Sequence, residues 1–147
     1  MPNVIFVVGL PGSGKSHYAK ALAKQTESEL FDDYKSNAIG NCSRFPFGRN
    51  YIELVNYLRK DTDCVVSDID FCDDFARNEA QLCLQELIPN IKIRWIFFEN
   101  NPDQCKYNVG LRAKQIHRDI DSEINNIDRY SRNYHILIGS EIIPVWK

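Results

Sequence analysis

A glycine-rich stretch near the amino terminus has residue types and a spacing that suit phosphate binding. Within "VIFVVGLPGSGKSHYAKALA" (residues 4–23), Gly9, Gly14, Lys15 and Ser16 follow the order G-x-x-x-x-G-K-S. The glycines let the backbone turn tightly and aim N–H groups at a β-phosphate, and a helix beginning at Lys15 adds its positive end. The lysine can bridge the β- and γ-phosphates of ATP, and the serine hydroxyl can ligate Mg²⁺. We expect nucleotide contacts from Gly9, Leu10, Pro11, Gly12, Ser13, Gly14, Lys15, Ser16 and His17.

Several classes of protein use such a loop, and the remaining sequence favours a kinase. A GTPase needs D-x-x-G, yet no glycine has an aspartate three residues before it, and "NNPD" (100–103) lacks the lysine of the guanine-reading motif. A motor ATPase usually ends its acidic strand in Asp-Glu, whereas this strand reads "VVSDID". A kinase requires a carboxylate near the acceptor hydroxyl and arginines over the phosphates. Candidates for both are present in this chain.

The segments that must position the loop alternate between strand and helix. A continuous apolar run over residues 4–8 is typical of a strand buried on both faces of a parallel sheet. The alternation predicts an α/β protein with a three-layer α/β/α P-loop kinase fold and a parallel five-stranded sheet. The predicted strands cover 4–8, the surroundings of Leu30 and Phe31, 64–68, 91–99 and 141–147; the predicted helices cover 15–27, 51–60, 73–88, a stretch from Pro102, and 117–133. Residues 36–50 read as irregular structure.

Length and composition restrict the class of protein further. The chain has 147 residues and a net charge of −2, with 18 Lys plus Arg against 20 Asp plus Glu, which does not favour a strongly basic nucleic-acid binder. That length fits one P-loop kinase domain over residues 1–147. Five cysteines without a C-x-x-C pair indicate free, buried thiols in a reducing compartment. Because signal-peptide and membrane-spanning patterns are absent, we expect a cytoplasmic protein with no membrane association. No obligate protein partner is evident from the sequence.

Three further segments give the chain a resemblance to a known family. "FDDYK" (31–35), "VVSDIDFCDDFAR" (65–77) and "FFENNPDQCKYNVGLR" (97–112) resemble the polynucleotide 5′-hydroxyl kinases, which are small phosphate-loop kinases with an adenylate-kinase-like core. The resemblance extends from the glycine-rich loop, its most specific part, to the closing "IIPVW". It implies transfer of the γ-phosphoryl group of ATP to the 5′-hydroxyl of an oligonucleotide.

The resemblance implies roles for five residues outside the loop. Asp32 matches the general base that takes the proton of the attacking hydroxyl. Lys35 stands where the family has an arginine that grips an acceptor phosphate, and Arg77 matches another arginine on the acceptor side. Asp68 matches an acid that could hold Mg²⁺ through water or orient the acceptor. Arg112 matches the lid arginine that neutralises charge on the transferred phosphoryl group.

Two departures from the family leave alternatives open. The spacing from the loop to "DDYK" is a few residues shorter than in the family, so Asp33 competes with Asp32 as the base. An earlier lid arginine of the family falls on Tyr107 here. Either transfer to this acceptor needs fewer cations, or the missing charge comes from Lys106, Lys114 or Arg118.

Purely structural roles compete with several of these assignments. Asp32 and Asp33 could cap a helix, and Arg77 could be a solvated helix charge. Trp95 is expected to pack in the core; Trp146, just after Pro144, could pack near the adenine, and core packing is its favoured role. The three histidines (His17, His117 and His135) follow no catalytic or metal-ligand spacing.

The sequence therefore predicts an ATP- and Mg²⁺-dependent phosphotransferase that acts on a hydroxyl. The oligonucleotide 5′ end is the first candidate acceptor, and a small molecule such as a nucleoside, nucleotide or antibiotic is the second. A module that responds to ATP without transferring phosphate is an alternative of a different class, since the placement of residues is not proof of turnover.

Overall fold

Strands and helices alternate through residues 2–32, 51–115 and 120–146, which are the residues that this computed structural model describes. The strands are β1 (Asn3–Val8), β2 (Glu29–Asp32), β3 (Cys64–Ser67), β4 (Lys92–Phe98) and β5 (Glu141–Ile143). The helices are α1 (Lys15–Gln25), α2 (Tyr51–Arg59), α3 (Asp74–Leu87), α4 (Pro102–Gln115) and α5 (Ile120–Ser131), and a 3₁₀ helix covers Ile69–Cys72. The predicted alternation is confirmed, and the segment 36–50 that reads as irregular lies outside the described residues.

The strands form one parallel sheet of five in the order β2-β3-β1-β4-β5. β1 lies at the centre, where Val4 pairs with Cys64 on one side and with Ile93 on the other. On the outer side of β3, Asp32 pairs in register with Ser67. Because the strands are parallel, the loops that follow β1, β2 and β3 leave the sheet at the same edge. The predicted five-stranded parallel sheet is therefore confirmed.

Both faces of the sheet are covered by helices, which gives the three layers that the sequence predicts. Alternate residues of β1 point to opposite faces: Val4, Phe6 and Val8 join one apolar cluster, and Val7 joins the other. The smaller cluster packs under α1 through Ala19 and Ala23. The larger cluster takes side chains from the other four helices, among them Leu54, Leu58, Ala80, Leu84, Val109 and Ile127.

Aromatic packing and one buried hydroxyl fix the central strands beneath the glycine-rich loop. Trp95 stacks on Phe6 with ring centroids 4.3 Å apart, so its predicted packing against the core is confirmed. The buried hydroxyl of Tyr134 donates to the carbonyls of Val8, at 3.3 Å, and Phe98. This contact joins the last residues of β1 and β4. Burial also raises the pKa of the Tyr134 hydroxyl. The loop thus begins from a rigid strand end.

Three of the four cysteines in the described residues are packing residues rather than reactive groups. Cys64, Cys72 and Cys105 are buried free thiols, and burial raises the pKa of Cys72 to about 12 and that of Cys105 to about 11. Since the thiolate is the reactive form, these side chains stay inert near neutral pH. Over residues 2–32, 51–115 and 120–146, none of the helices combines the length and the apolar character needed to cross a membrane.

Candidate active site

The glycine-rich loop wraps into a cradle between β1 and α1. Gly12 and Gly14 have φ angles of 83° and 96°, in the left-handed region that glycine adopts without strain. The Ser13 N–H donates to the Leu10 carbonyl at 3.1 Å, which closes the turn. Gly14 immediately precedes α1, so Lys15 and Ser16 occupy the first turn of that helix. This is the geometry in which backbone N–H groups and the positive end of a helix bind phosphates.

The loop also needs glycine at position 12 because another chain segment lies against it. A Cβ atom on Gly12 would lie 2.4 Å from the Cys105 carbonyl oxygen of α4 and 3.0 Å from Val109. We expect Gly12→Ala to destabilise the protein by about 1–3 kcal/mol, through this clash and the positive φ. Gly110→Ala is the matched control: nothing lies within 4 Å of its Cβ position. In urea denaturation this control should raise the free energy of unfolding by about 0.5–1 kcal/mol, because alanine favours the helix. Equal losses of stability in the two variants would contradict a specific clash at Gly12.

A carboxylate from the neighbouring strand meets the end of the loop. Asp32, the last residue of β2, accepts hydrogen bonds at its Oδ1 from Ser16 Oγ at 3.0 Å and from Ser67 Oγ at 2.5 Å. Ser67 ends β3 and lies beside Asp32 in the sheet. The carboxylate is therefore held next to the hydroxyl that the loop motif assigns to Mg²⁺. Hydroxyl and carboxylate oxygens are ligands that Mg²⁺ favours, so the donor set fits this cation.

Loop, carboxylate and helices enclose a cavity of about 900 Å³. It is lined by Lys15, Ser16, Asp32 and Ile69, and α4 and α5 add further polar groups. Aromatic and apolar side chains line the cavity as well. The residues that line it from these elements and from the carboxyl-terminal segment are Tyr18, Phe98, Asn108, Arg112, Glu123, Asn126, Ile143, Pro144 and Trp146. A cavity that combines cationic, hydroxyl and aromatic groups suits the phosphates and the base of a nucleoside triphosphate.

Arg112, the predicted lid arginine, lines this cavity from α4. Its Nε atom is buried and has no hydrogen-bond partner among the described residues. A buried donor without a partner is costly, and a phosphate oxygen would satisfy it. The position therefore fits a group that contacts the phosphates of a bound nucleotide.

Asp68 occupies a different position from Asp32 and performs a local task. It is fully buried, and its side chain accepts a hydrogen bond of 2.9 Å from the backbone N–H of Asp70. It thereby caps the 3₁₀ helix Ile69–Cys72. Asp68 does not lie among the residues that line the cavity. Its placement favours this capping role over the predicted contact with metal or acceptor.

Arg77 is enclosed by its own surroundings instead of facing the cavity. The side chain is 4% exposed, and its guanidinium donates to the carbonyls of Phe71 (2.6 Å) and His135 (3.0 Å) and to Asp74. It also lies over the ring of Phe97, 5.2 Å from the centroid. Burial lowers the pKa of the guanidinium from its usual value. This placement favours a structural role over acceptor binding and differs from a solvated helix charge.

Replacement of Arg77 should therefore act on stability more than on substrate affinity. We expect Arg77→Ala to lower the free energy of unfolding by about 2–4 kcal/mol, because the buried Phe71 carbonyl and the partly buried His135 carbonyl lose their donor. Arg94→Ala serves as the control, since its ion pair with Glu141 is half exposed and should contribute less than about 1 kcal/mol. Denaturant titration of both variants measures the difference. A KM for the acceptor that rises strongly in a fully stable Arg77→Ala protein would contradict this role.

Several predicted residues lie outside the described chain or away from the cavity. Lys35, Asp33, His117 and Arg118 fall outside the described residues. Lys106 forms an ion pair with Asp128 at 2.6 Å, and Tyr107 is exposed. His17 is exposed at the cavity rim, and His135 lies 3.3 Å from Asp74.

The prediction that Trp146 packs in the core is wrong. Its side chain is 64% exposed and lines the cavity, although its backbone N–H is bound to the Ser13 carbonyl at 3.1 Å. The segment is held in place from Glu99, whose Oε1 accepts from the Val145 N–H at 3.0 Å. The alternative position near the adenine stays a prediction, and the contacts that hold the segment join residues far apart in the chain.

Sequence reasoning also missed Ser67 and Asn108. Asn108 is buried, and its amide donates to the carbonyls of Gly12 (2.9 Å) and Trp146 (2.5 Å). A signal was available, because Asn108 lies four residues before Arg112 and therefore on the same face of α4. Ser67 gave no such signal, since its role depends on the register between β2 and β3.

Solved kinase structures share this fold over almost the entire chain. A gluconokinase from Sinorhizobium meliloti 1021 superposes with a TM-score of 0.66 at 16% identity, over 99% of this chain and 84% of that chain. A fungal RNA kinase superposes with a TM-score of 0.65 at 14% identity, over 100% of this chain and 76% of that chain. The fold is therefore that of the P-loop kinases.

Sequence comparison adds a relative that is similar along nearly its full length. No family model matches this sequence. The "Uncharacterized protein R277" of Acanthamoeba polyphaga mimivirus is 31% identical over 140 residues, which is 95% of this chain and 91% of the mimivirus protein. The chain belongs to the same family as this mimivirus protein.

Proposed function

We propose that the protein is an ATP-dependent kinase that transfers the γ-phosphoryl group of ATP to a hydroxyl group. The observation that carries the proposal is the 3.0 Å contact between Ser16 Oγ and Asp32 Oδ1. It brings the phosphate-binding loop and a fixed carboxylate together at one end of a nucleotide-sized cavity. A carboxylate at that point can face the terminal phosphate of a bound nucleotide, which is where an acceptor hydroxyl must lie.

The residues of this chain divide the work of transfer among them. Backbone N–H groups of the loop and the buried Lys15 ammonium hold the triphosphate, and Arg112 neutralises charge on the transferred group. Asp32 orients the acceptor hydroxyl and takes its proton as the oxygen attacks the γ-phosphorus and ADP leaves. Mg²⁺ held through Ser16 would supply further charge neutralisation at the phosphates. Ser67 keeps Asp32 in position by its hydrogen bond of 2.5 Å.

A polynucleotide 5′-hydroxyl is the first candidate acceptor. The resemblance to polynucleotide 5′-hydroxyl kinases includes Asp32, Lys35 and Arg112 as well as the loop. The similarity in fold to a fungal RNA kinase is consistent with this acceptor. Lys35 would have to provide phosphate binding on the acceptor side, with a single charge where the family has a forked guanidinium.

A small hydroxyl compound without phosphate is the second candidate, favoured by the placement of Arg77. Its guanidinium donates to two backbone carbonyls and to Asp74, so it is not directed at an acceptor phosphate. Asp32 and Glu123 also give the cavity wall two carboxylates, which would repel a phosphodiester. The similarity in fold to a gluconokinase is compatible with such an acceptor.

The test is a phosphoryl-transfer screen with γ-labelled ATP and Mg²⁺. Acceptors are DNA and RNA oligonucleotides with a free 5′-hydroxyl, and a panel of sugars, polyols and nucleosides; the Lys15→Met variant provides the background. Label on an oligonucleotide supports the first acceptor, and label on a small compound alone supports the second. ATP binding without labelled product in either set would favour the ATP-responsive module and overturn the kinase proposal.

A further inference from the structure

The phosphate-binding loop and the carboxyl-terminal segment are joined by contacts at three successive loop residues. Gly12 and Trp146 share the amide of Asn108, and the Ser13 carbonyl accepts from the Trp146 N–H at 3.1 Å. A Cβ atom on Gly14 would lie 3.1 Å from the Cβ of Trp146. A displacement of the phosphate-binding loop would therefore also shift the carboxyl-terminal segment.

Asn108 is the side chain that closes this connection. It is 3% exposed, and its Nδ2 donates to the Gly12 carbonyl at 2.9 Å and to the Trp146 carbonyl at 2.5 Å. A side-chain amide carries two N–H donors, so one group satisfies both carbonyls. Gln104 Nε2 donates to Asn108 Oδ1 at 3.0 Å from one turn earlier in α4 and thereby fixes which way the amide faces.

The indole of Trp146 extends from this fixed backbone into the cavity. It is 64% exposed and lines the cavity together with Pro144 and Tyr18. A large aromatic side chain left open to solvent beside a phosphate-binding loop offers a surface for the planar base of a nucleotide. Stacking on such a ring tolerates any base, since every base has a π-face.

We infer that Asn108 is a positioning residue that holds the phosphate-binding loop and Trp146 as one unit, so that the triphosphate and the base of a nucleotide bind together. The inference rests on the proposed function, because it assumes that a nucleoside triphosphate enters this cavity. Asn108 lines the cavity, but both N–H groups of its amide are donated to the Gly12 and Trp146 carbonyls and not to the nucleotide. It acts through the backbone of Gly12 and Trp146.

The test compares the affinities of ATP and inorganic tripolyphosphate, both measured by calorimetry with excess Mg²⁺. Tripolyphosphate reports on the loop, and the ratio of the two affinities reports on the base. Trp146→Ala should lower the ratio about tenfold and leave tripolyphosphate binding unchanged. Asn108→Ala should weaken the binding of both compounds and lower the affinity ratio about as much as Trp146→Ala does. The double variant should have a ratio no lower than Trp146→Ala, because both changes remove the same contact.

Asn100→Ala is the matched control for a purely structural effect. The Asn100 amide also bridges two backbone carbonyls, of Ser131 (2.9 Å) and Tyr134 (3.4 Å), but it does not line the cavity. It should lower the melting temperature and leave the affinity ratio unchanged. If Asn108→Ala folds and keeps the parent's ratio of ATP affinity to tripolyphosphate affinity, this inference is overturned although ATP binding stands. If Asn108→Ala does not fold, the same ratio in Trp146→Ala overturns it. Failure of the parent protein to bind either compound would overturn the proposed function with it.

Discussion

Asp32→Asn is expected to slow phosphoryl transfer by about 10²–10⁴-fold while the affinity for ATP stays within about threefold. Asparagine has nearly the same shape and can still accept from Ser16 and Ser67, so the loop should keep its position. The amide has no basic site for the proton of the acceptor hydroxyl. The rate is measured in single turnovers with γ-labelled ATP and the acceptor found in the transfer screen, and the affinity by calorimetry.

Two further variants distinguish the contribution of the general base from that of neighbouring residues. Ser67→Ala removes a hydroxyl that holds Asp32 and leaves the carboxylate in place, so its loss should be much smaller than that of Asp32→Asn. Asp33→Asn should have little effect if Asp32 is the base. Undiminished transfer in Asp32→Asn would remove this residue from the mechanism, and a large loss in Asp33→Asn would assign the role to its neighbour.

Lys15→Met is expected to lower kcat/KM for ATP by about 10²–10³-fold and to weaken ATP binding in the same experiment. Lys15 is 8% exposed, lines the cavity and begins α1, so its ammonium is directed at the site where the loop would hold phosphates. Methionine preserves the length and the packing of the stem but removes the charge. The kinetic constant comes from the transfer assay and the affinity from calorimetry.

Lys20→Met is the control for the loss of one positive charge from α1. Lys20 lies on the same helix but is exposed and does not line the cavity. This change should alter neither ATP affinity nor kcat/KM beyond about twofold, because screening weakens an exposed charge. Equal losses in the two variants would indicate a general effect of net charge and would contradict the assigned role of Lys15.

The sequence was sufficient for the succession of elements because hydrophobic periodicity decides them locally. The apolar run before the loop became the central strand, and Pro102 marked the start of α4 as predicted. Several boundaries differed: α1 ends at Gln25 and not at residue 27, α5 ends at Ser131 and not at residue 133, and β5 ends at Ile143 and not at residue 147. Glu27 has a φ of 54°, which lies outside the helical region. The sequence has no glycine or proline near this position to indicate that the helix ends there.

The positions of the acidic residues could not be predicted with the same certainty, because they depend on how strands pair. Asp32 pairs with Ser67, and neighbouring residues in register point their side chains to the same face. Asp68 is the next residue along the chain and turns into the cap of the 3₁₀ helix. A difference of one residue thus separates a carboxylate at the loop from a buried capping group, and the sequence of either strand alone does not contain that register.

Residues that are far apart in the chain account for the remaining differences. Arg77 was assigned from its place in a motif, yet the carbonyl of His135 from beyond α5 helps to enclose it. Asn108 and Trp146 meet through hydrogen bonds that span 38 positions of sequence. Contacts of this kind follow from the completed fold, which is why the loop was recognised from its sequence and its supports were not.

A crystal structure of the complex with Mg²⁺ and a non-hydrolysable ATP analogue tests the central claim most directly. We expect the γ-phosphate between Lys15 and the Asp32 carboxylate, Ser16 Oγ at about 2.1 Å from the metal, and the base against Trp146. A γ-phosphate that points away from Asp32, with that carboxylate on the far side of the loop, would contradict the kinase assignment.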